Sequence, residues 1–134
     1  MKTKILILTF VLYSTMLFAQ SQTIQTNTIQ QKLISENTIY QLFPTQNIWT
    51  FIKLDTRNGK MWQIHFTVSD DGVKGEFILN ILPLVSKDKE VNGRFTLYPT
   101  ENIYNFLLLD QIDGKVYQVQ WSINAENRGV IPIE

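Results

Sequence analysis

Two aspartates occupy matching places in this chain, Asp55 in Leu-Asp-Thr-Arg-Asn-Gly and Asp110 in Leu-Asp-Gln-Ile-Asp-Gly. A pair of carboxylates is the minimum kit for general acid–base chemistry, provided that unlike surroundings drive the two pKa values apart. Duplicated surroundings give no such separation. Each aspartate also opens a hairpin turn that Gly59 or Gly114 closes, and there its side chain accepts hydrogen bonds from backbone amides two residues on. Asp55, Gly59, Asp110 and Gly114 are therefore read as structural turn residues. No catalytic residue is assigned, and the chain is expected not to be an enzyme.

The other reactive residue types are sparse. His65 is the only histidine, and its counterpart in the matching segment is Gln120. A solvated or hydrogen-bonded role on a polar strand face is the expectation for it. With no cysteine and no second histidine, a zinc site or a nucleophile–base pair has no residues to build it. Asp70-Asp71-Gly72 lacks the alternating oxygen ligands and distal glutamate of a calcium loop and reads as a turn. The six glycines are scattered, so no phosphate-cradling loop is present. No metal and no cofactor are expected.

The segment with functional promise is 47–55 and its match at 102–110. Ile48, Thr50, Ile52 and Leu54 alternate with Trp49, Phe51 and Lys53, while Ile103, Asn105, Leu107 and Leu109 alternate with Tyr104, Phe106 and Leu108. A strand that is apolar on both sides is either covered on both or shows an aromatic surface to a partner. Trp49, Phe51, Tyr104 and Phe106 are accordingly the candidate ligand-binding residues. Trp49 and Tyr104 form a quasi-symmetric pair suited to stacking on a sugar ring, a peptide or another protein.

These residues are positioned by an internal duplication. Residues 40–66 and 95–121 align without a gap at an offset of 55, and 11 of the 27 positions are identical. The shared residues include Pro44/Pro99, Thr45/Thr100, Asn47/Asn102, Asp55/Asp110, Gly59/Gly114 and Gln63/Gln118. Each copy predicts a strand (about 39–43 and 94–98), a Pro-Thr-x-Asn turn, a second strand (about 47–55 and 102–110), the Asp-to-Gly turn and a third strand (about 60–69 and 115–123). In the third strand Trp62, Ile64, Phe66 and Val68 share a face opposite Met61, Gln63, His65 and Thr67. Tyr117, Val119, Trp121 and Ile123 do the same opposite Val116, Gln118, Gln120 and Ser122. Period-two alternation predicts that the aromatic faces are the core faces. Neither meander hides such a face alone, so the two copies are expected to pack these faces together. A fourth strand is expected over Gly75 to Val85, with a shortened counterpart at Val130 to Glu134, and Lys87 to Asn92 as a charged linker.

The fold class that follows is all-β: two pseudo-symmetric antiparallel meander repeats packed as a small barrel or sandwich. Repeat 1 covers about 39–86 and repeat 2 about 93–134. Residues 1–19 read as a cleaved signal peptide, with Lys2 and Lys4 ahead of an apolar run from Ile5 to Phe18 and an exit at Ala19. Residues 20–38 are polar and read as a flexible lead-in with one helical turn near 30–35. The apolar run falls short of the about 20 residues that a transmembrane helix needs, so no integral membrane segment is expected after cleavage. Loss of Lys2 and Lys4 leaves 10 basic against 12 acidic side chains. That balance excludes the basic footprint that nucleic acid demands. The expected location is periplasmic or secreted.

The pattern [YF]-x-L-[FY]-P-T-x-N-I-x-x-F-x-x-L-D-x-x-x-G-K-x-[WY]-Q-[IV] at 40–64 and 95–119 resembles tandem strand–turn–strand repeats of small exported bacterial proteins of unknown function. The resemblance implies export and architecture and transfers no functional residue. Its Leu-Asp-x-x-x-Gly-Lys portion also occurs in β-propeller blades, but two blades do not close a ring that needs about four. The function expected from the whole is non-enzymatic binding of a protein partner in the envelope or outside the cell. The alternative is a carbohydrate-binding module using exposed Trp49 and Tyr104.

Overall fold

A computed structural model describes residues 38–134. The expected signal peptide at 1–19 and the lead-in with its helical turn, apart from its last residue, lie outside the described residues. Each repeat folds as a four-stranded antiparallel meander. The first sheet is β1 (Tyr40–Pro44), β2 (Thr50–Asp55), β3 (Met61–His65) and β4 (Gly75–Asn80), hydrogen-bonded in that order. The second is β5 (Phe95–Pro99), β6 (Asn105–Asp110), β7 (Val116–Gln120) and β8 (Gly129–Ile133). The sheets pack on one another as a sandwich with one shared core, and neither closes into a barrel. Among the described residues no helix is long and apolar enough to cross a membrane.

The turn chemistry explains where the strands stop. Thr45 donates its hydroxyl to the carbonyl of Thr50 at 2.9 Å, and Thr100 does the same to Asn105 at 3.0 Å, which closes both Pro-Thr turns. At the other end Gly59 and Gly114 sit at φ 77° and 72°, where a Cβ would be strained. β4 is shorter than its apolar run because the Asn80 amide donates to the carbonyls of Gly59 (2.9 Å) and Leu82 (2.8 Å), turning the chain ahead of Pro83. The second repeat has a full fourth strand, β8, which pairs with β7 along all five residues. The linker carries a single turn of 3₁₀ helix at Lys87–Lys89.

The packing departs from the expected face assignment. In the second sheet the buried residues are Phe95, Leu97, Phe106, Leu108, Val119 and Trp121, which is the aromatic face of the sequence pattern. In the first sheet they are Thr50, Ile52, Leu54, Met61, Gln63 and Leu79, the opposite face. Phe66 and Val68 are exposed and Trp62 and Ile64 half-buried, so the aromatic face of the first repeat points outward. The two repeats therefore do not present equivalent surfaces to each other. They stack in the same sense, with β4 against β8 and β2 against β5. The amide of Phe95 donates to the carbonyl of Thr56 at 2.8 Å, tying the start of the second repeat to the β2–β3 turn of the first. A two-fold axis would bring like faces together; this same-sense stacking brings unlike faces together.

Gln63 makes the inverted face possible. It is fully buried, and its amide donates to the carbonyl of Ser122 (2.9 Å) while its carbonyl accepts from the amide of Ser122 (3.3 Å). Its other N–H reaches His65 Nε2 at 2.8 Å. That contact assigns Nε2 as an acceptor and leaves Nδ1–H to donate to Thr50 Oγ1 at 3.3 Å. A buried amide with all its bonds made costs little, whereas an unpaired one is expensive.

Candidate functional site

The two Pro-Thr-x-Asn turns project the candidate aromatics in the same way. Asn47 Oδ1 accepts from the amide of Trp49 at 2.9 Å, and Asn102 Oδ1 accepts from the amide of Tyr104 at 3.0 Å. Pro44, Thr45, Pro99 and Thr100 line one small groove, so both turns lie at the same end of the molecule. Trp49 is 40% and Tyr104 49% exposed. Trp49 meets Phe66 edge-on at 5.4 Å, and Phe51, half-buried, lies 5.9 Å from the same ring. Tyr104 leans on Trp121 at 5.4 Å, and Trp121 is fixed by donating Nε1–H to the carbonyl of Ile103 at 2.9 Å. Phe106 is buried in the core and presents no surface to a ligand. Of the four candidates, the exposed platform is thus Trp49 and Tyr104, with Phe51 at the margin of the first.

The second of these platforms is accompanied by an open cleft. The cleft has a volume of about 460 Å³ and is bounded by Tyr104 and Trp121 on one side and by Asn105, Gln120, Asn124 and Asn127 on the others. No charged side chain lines it. Gln120 donates its amide to the carbonyl of Asn127 at 2.9 Å, which braces the far wall. Asn105 Oδ1 is buried at the cleft floor and is the one such side-chain atom without a hydrogen-bond partner among the described residues. The matching positions of the first repeat, Thr50 and His65, are occupied at the sheet junction, where His65 lies 6.5 Å from the Trp121 ring. The amide-rich walls escaped the sequence reading because Asn124 and Asn127 follow the repeat, on a loop with no counterpart in the aligned segment.

Asp55 and Asp110 lie at the opposite end of the sheets. Asp55 Oδ1 accepts from the amide of Arg57 at 3.0 Å, and Asp110 Oδ1 accepts from the amides of Ile112 (3.0 Å) and Asp113 (3.1 Å). Each carboxylate is also held by one guanidinium. Arg57 Nε and Nη2 reach Asp55 at 3.0 and 2.8 Å. Arg94 Nε spans both oxygens of Asp110 (3.0 and 3.1 Å) and its Nη2 reaches Oδ2 at 2.8 Å. Burial alone would raise both carboxyls, but the guanidinium and amide hydrogen bonds outweigh it and hold both below the ordinary carboxylate range. A general acid needs the reverse shift.

The sequence holds a clue to this arrangement. Position 39 matches 94 and position 57 matches 112, so the first repeat has Ile39 and Arg57 where the second has Arg94 and Ile112. The arginine and the isoleucine have changed places, and each buried aspartate keeps one partner.

No group of three or more potential metal ligands occurs among the described residues. Comparison with protein-family models, with curated proteins and with solved structures returns no match.

Proposed function

We propose that this protein is an exported, non-enzymatic binding domain that takes a neutral carbohydrate in the cleft beside Tyr104. The observation that carries the reading is the cleft's composition: a half-exposed tyrosine ring backed by a buried tryptophan, with uncharged amides on the remaining sides. A sugar offers C–H faces to an aromatic ring and hydroxyls to amides, and it needs no compensating charge. Export fits that ligand class, since glycans abound at the cell surface and outside it. A protein partner is the second reading, and the apolar outer face of the first sheet favours it.

Glycan-array screening of the wild type, Tyr104→Ala and Trp49→Ala tests the proposal. Loss of ring stacking, worth about 0.5–1.5 kcal/mol, is expected to weaken Tyr104→Ala by roughly up to tenfold and leave Trp49→Ala near wild type. Wild-type protein that binds no glycan, or equal binding by Tyr104→Ala, would reject it.

A further inference from the structure

The inverted packing turns one face of each sheet away from the other sheet, and the duplication says what those faces are made for. The outer face of the first sheet carries Tyr40, Leu42, Phe51, Trp62, Ile64 and Phe66. Their counterparts in the second repeat are Phe95, Leu97, Phe106, Tyr117, Val119 and Trp121, of which all but Tyr117 are buried against the first sheet. Tyr40 and Leu42 remain 51% and 58% exposed. Two polar exchanges occur, Lys53 for Leu108 and Glu76 for Val130. Lys53 lies over the rings of Tyr40 (5.7 Å) and Trp62 (4.6 Å) and pairs with Glu76, so its stem covers the face and its charge is matched.

The outer face of the second sheet is the complement. Leu107, Leu109, Val116 and Gln118 match Ile52, Leu54, Met61 and Gln63, which are all buried in the internal junction. Ile131 lies beside Gln118, as Phe77 lies beside Gln63. Gln63 spends its amide on the Ser122 backbone of the neighbouring sheet, whereas the Gln118 amide makes no hydrogen bond to another described residue. One end of the chain thus repeats one half of the internal junction, and the other end repeats the other half.

We propose that a second copy of this chain docks head to tail, the outer face of its first sheet on the outer face of the second sheet here, continuing the internal junction between chains. In that contact Gln118 takes the role of Gln63, and the backbone of Thr67 in the neighbouring copy takes the role of Ser122. Asn105 and Gln120 take the places of Thr50 and His65, so Phe66 of the neighbouring copy, which matches Trp121, adds a wall to the cleft beside Tyr104, and the glycan site of the proposed function lies between copies. The interface is heterologous, because the two surfaces differ, and such an interface closes only as a ring. Face-to-face stacking of four-stranded sheets around an axis closes with about four to eight sheets, which corresponds to roughly two to four chains. The exposed apolar face of the first sheet is covered in such a ring, which removes a patch of the kind that soluble monomers rarely carry.

Sedimentation equilibrium of the purified protein, the wild type and two variants, tests this. Leu42→Glu charges the outer face of the first sheet, and Ile131→Glu charges that of the second. Both positions are exposed in the single chain, so the strand signature in circular dichroism is expected to be unchanged. The wild type is expected at a single mass of two to four chains that holds on dilution, and each variant alone as a monomer. An equimolar mixture of the two variants keeps one good junction between unlike partners and is expected to stop at a 1:1 pair. A monomeric wild type, masses that grow without limit as fibres do, or a variant that still dimerises with itself would each overturn the proposal. None of these readouts depends on a glycan.

Discussion

Replacing Arg94 with isoleucine removes the guanidinium partner of Asp110, the most deeply buried carboxylate among the described residues. The Arg94 and Asp110 side chains are 3% and 1% exposed, so the charge left on Asp110 has no access to water. Breaking a buried pair by removing one partner costs about 3–5 kcal/mol, a large share of the about 5–15 kcal/mol that holds a typical domain together. The interchange seen in the first repeat supplies a repair. Arg94→Ile with Ile112→Arg recreates in the second repeat the arrangement of Ile39, Arg57 and Asp55. Arg94 also donates to the carbonyl of Lys89 at 3.0 Å and to Asp113 at 2.6 Å, and an arginine at 112 is not expected to replace those two bonds. At about 1 kcal/mol each, the double variant is expected to remain roughly 2 kcal/mol below wild type while recovering the rest. Urea unfolding of wild type, single and double variants at neutral pH measures this directly. Acid adds a second readout. The carboxyl of Asp110 lies below its ordinary value in the fold, so its contribution is present above about pH 4 and is lost as pH falls through the folded value. The gap between wild type and Arg94→Ile is therefore expected to narrow below about pH 4. A single variant that loses less than about 1 kcal/mol, far under the buried-pair cost, or a double variant no better than the single, would refute the reasoning.

Three further outcomes are expected. Burial first, and then the charge of Arg128, lowers the pKa of His65, so the folded state prefers the neutral ring and loses stability as pH drops below about 6.5; His65→Gln, the residue of the matching position, is expected to flatten thermal midpoints between about pH 6.5 and 5, and an unchanged slope would contradict it. Gly59 and Gly114 share a positive φ, but a Cβ at Gly59 would meet Leu84 Cδ1 at 2.7 Å and one at Gly114 would meet nothing within 4 Å; Gly114→Ala is expected to cost about 1–2 kcal/mol and Gly59→Ala more, and equal costs in chemical denaturation would show that the contact is irrelevant. Gln63→Leu keeps the volume and strands the Ser122 amide, while the Ser122 carbonyl keeps its bond from Arg128 Nε at 2.8 Å, with an expected loss of about 1–3 kcal/mol in the same assay.

The duplicated register carried most of the architecture. Pro44 and Pro99, Asn47 and Asn102, and the Asp-to-Gly turns mark the end of the first strand, the second strand and the start of the third, because each acts through local backbone chemistry that travels with the residue; the third strands stop at His65 and Gln120, short of the expected 69 and 123. What did not travel is which face turns inward. Trp62, Ile64 and Phe66 have the composition of a core face, and Gln63 and His65 that of a solvent face, yet the first sheet buries the latter. That choice is made by a neighbour 59 positions along the chain, Ser122, whose backbone satisfies the buried amide. No periodicity within a strand records it. The candidate site was half legible for the same reason: the turn that presents Tyr104 repeats, but Asn124 and Asn127 lie beyond the repeat. The guanidinium partners of Asp55 and Asp110 stood in the alignment as a mismatch, and only the fold shows Arg57 and Arg94 reaching equivalent carboxylates.

Inverted packing is the claim on which the rest depends, and nuclear Overhauser contacts in the Leu42→Glu variant test it most directly, since contacts between copies are expected to be absent there. The account predicts contacts from the Gln63 side-chain amide to Ser122 and from the His65 ring to Trp121, with the Trp62 and Phe51 rings showing none to the second sheet. Contacts from Trp62 or Phe51 to Phe106, Leu108 or Val119, with none from Gln63 to Ser122, would place the aromatic faces together and contradict it.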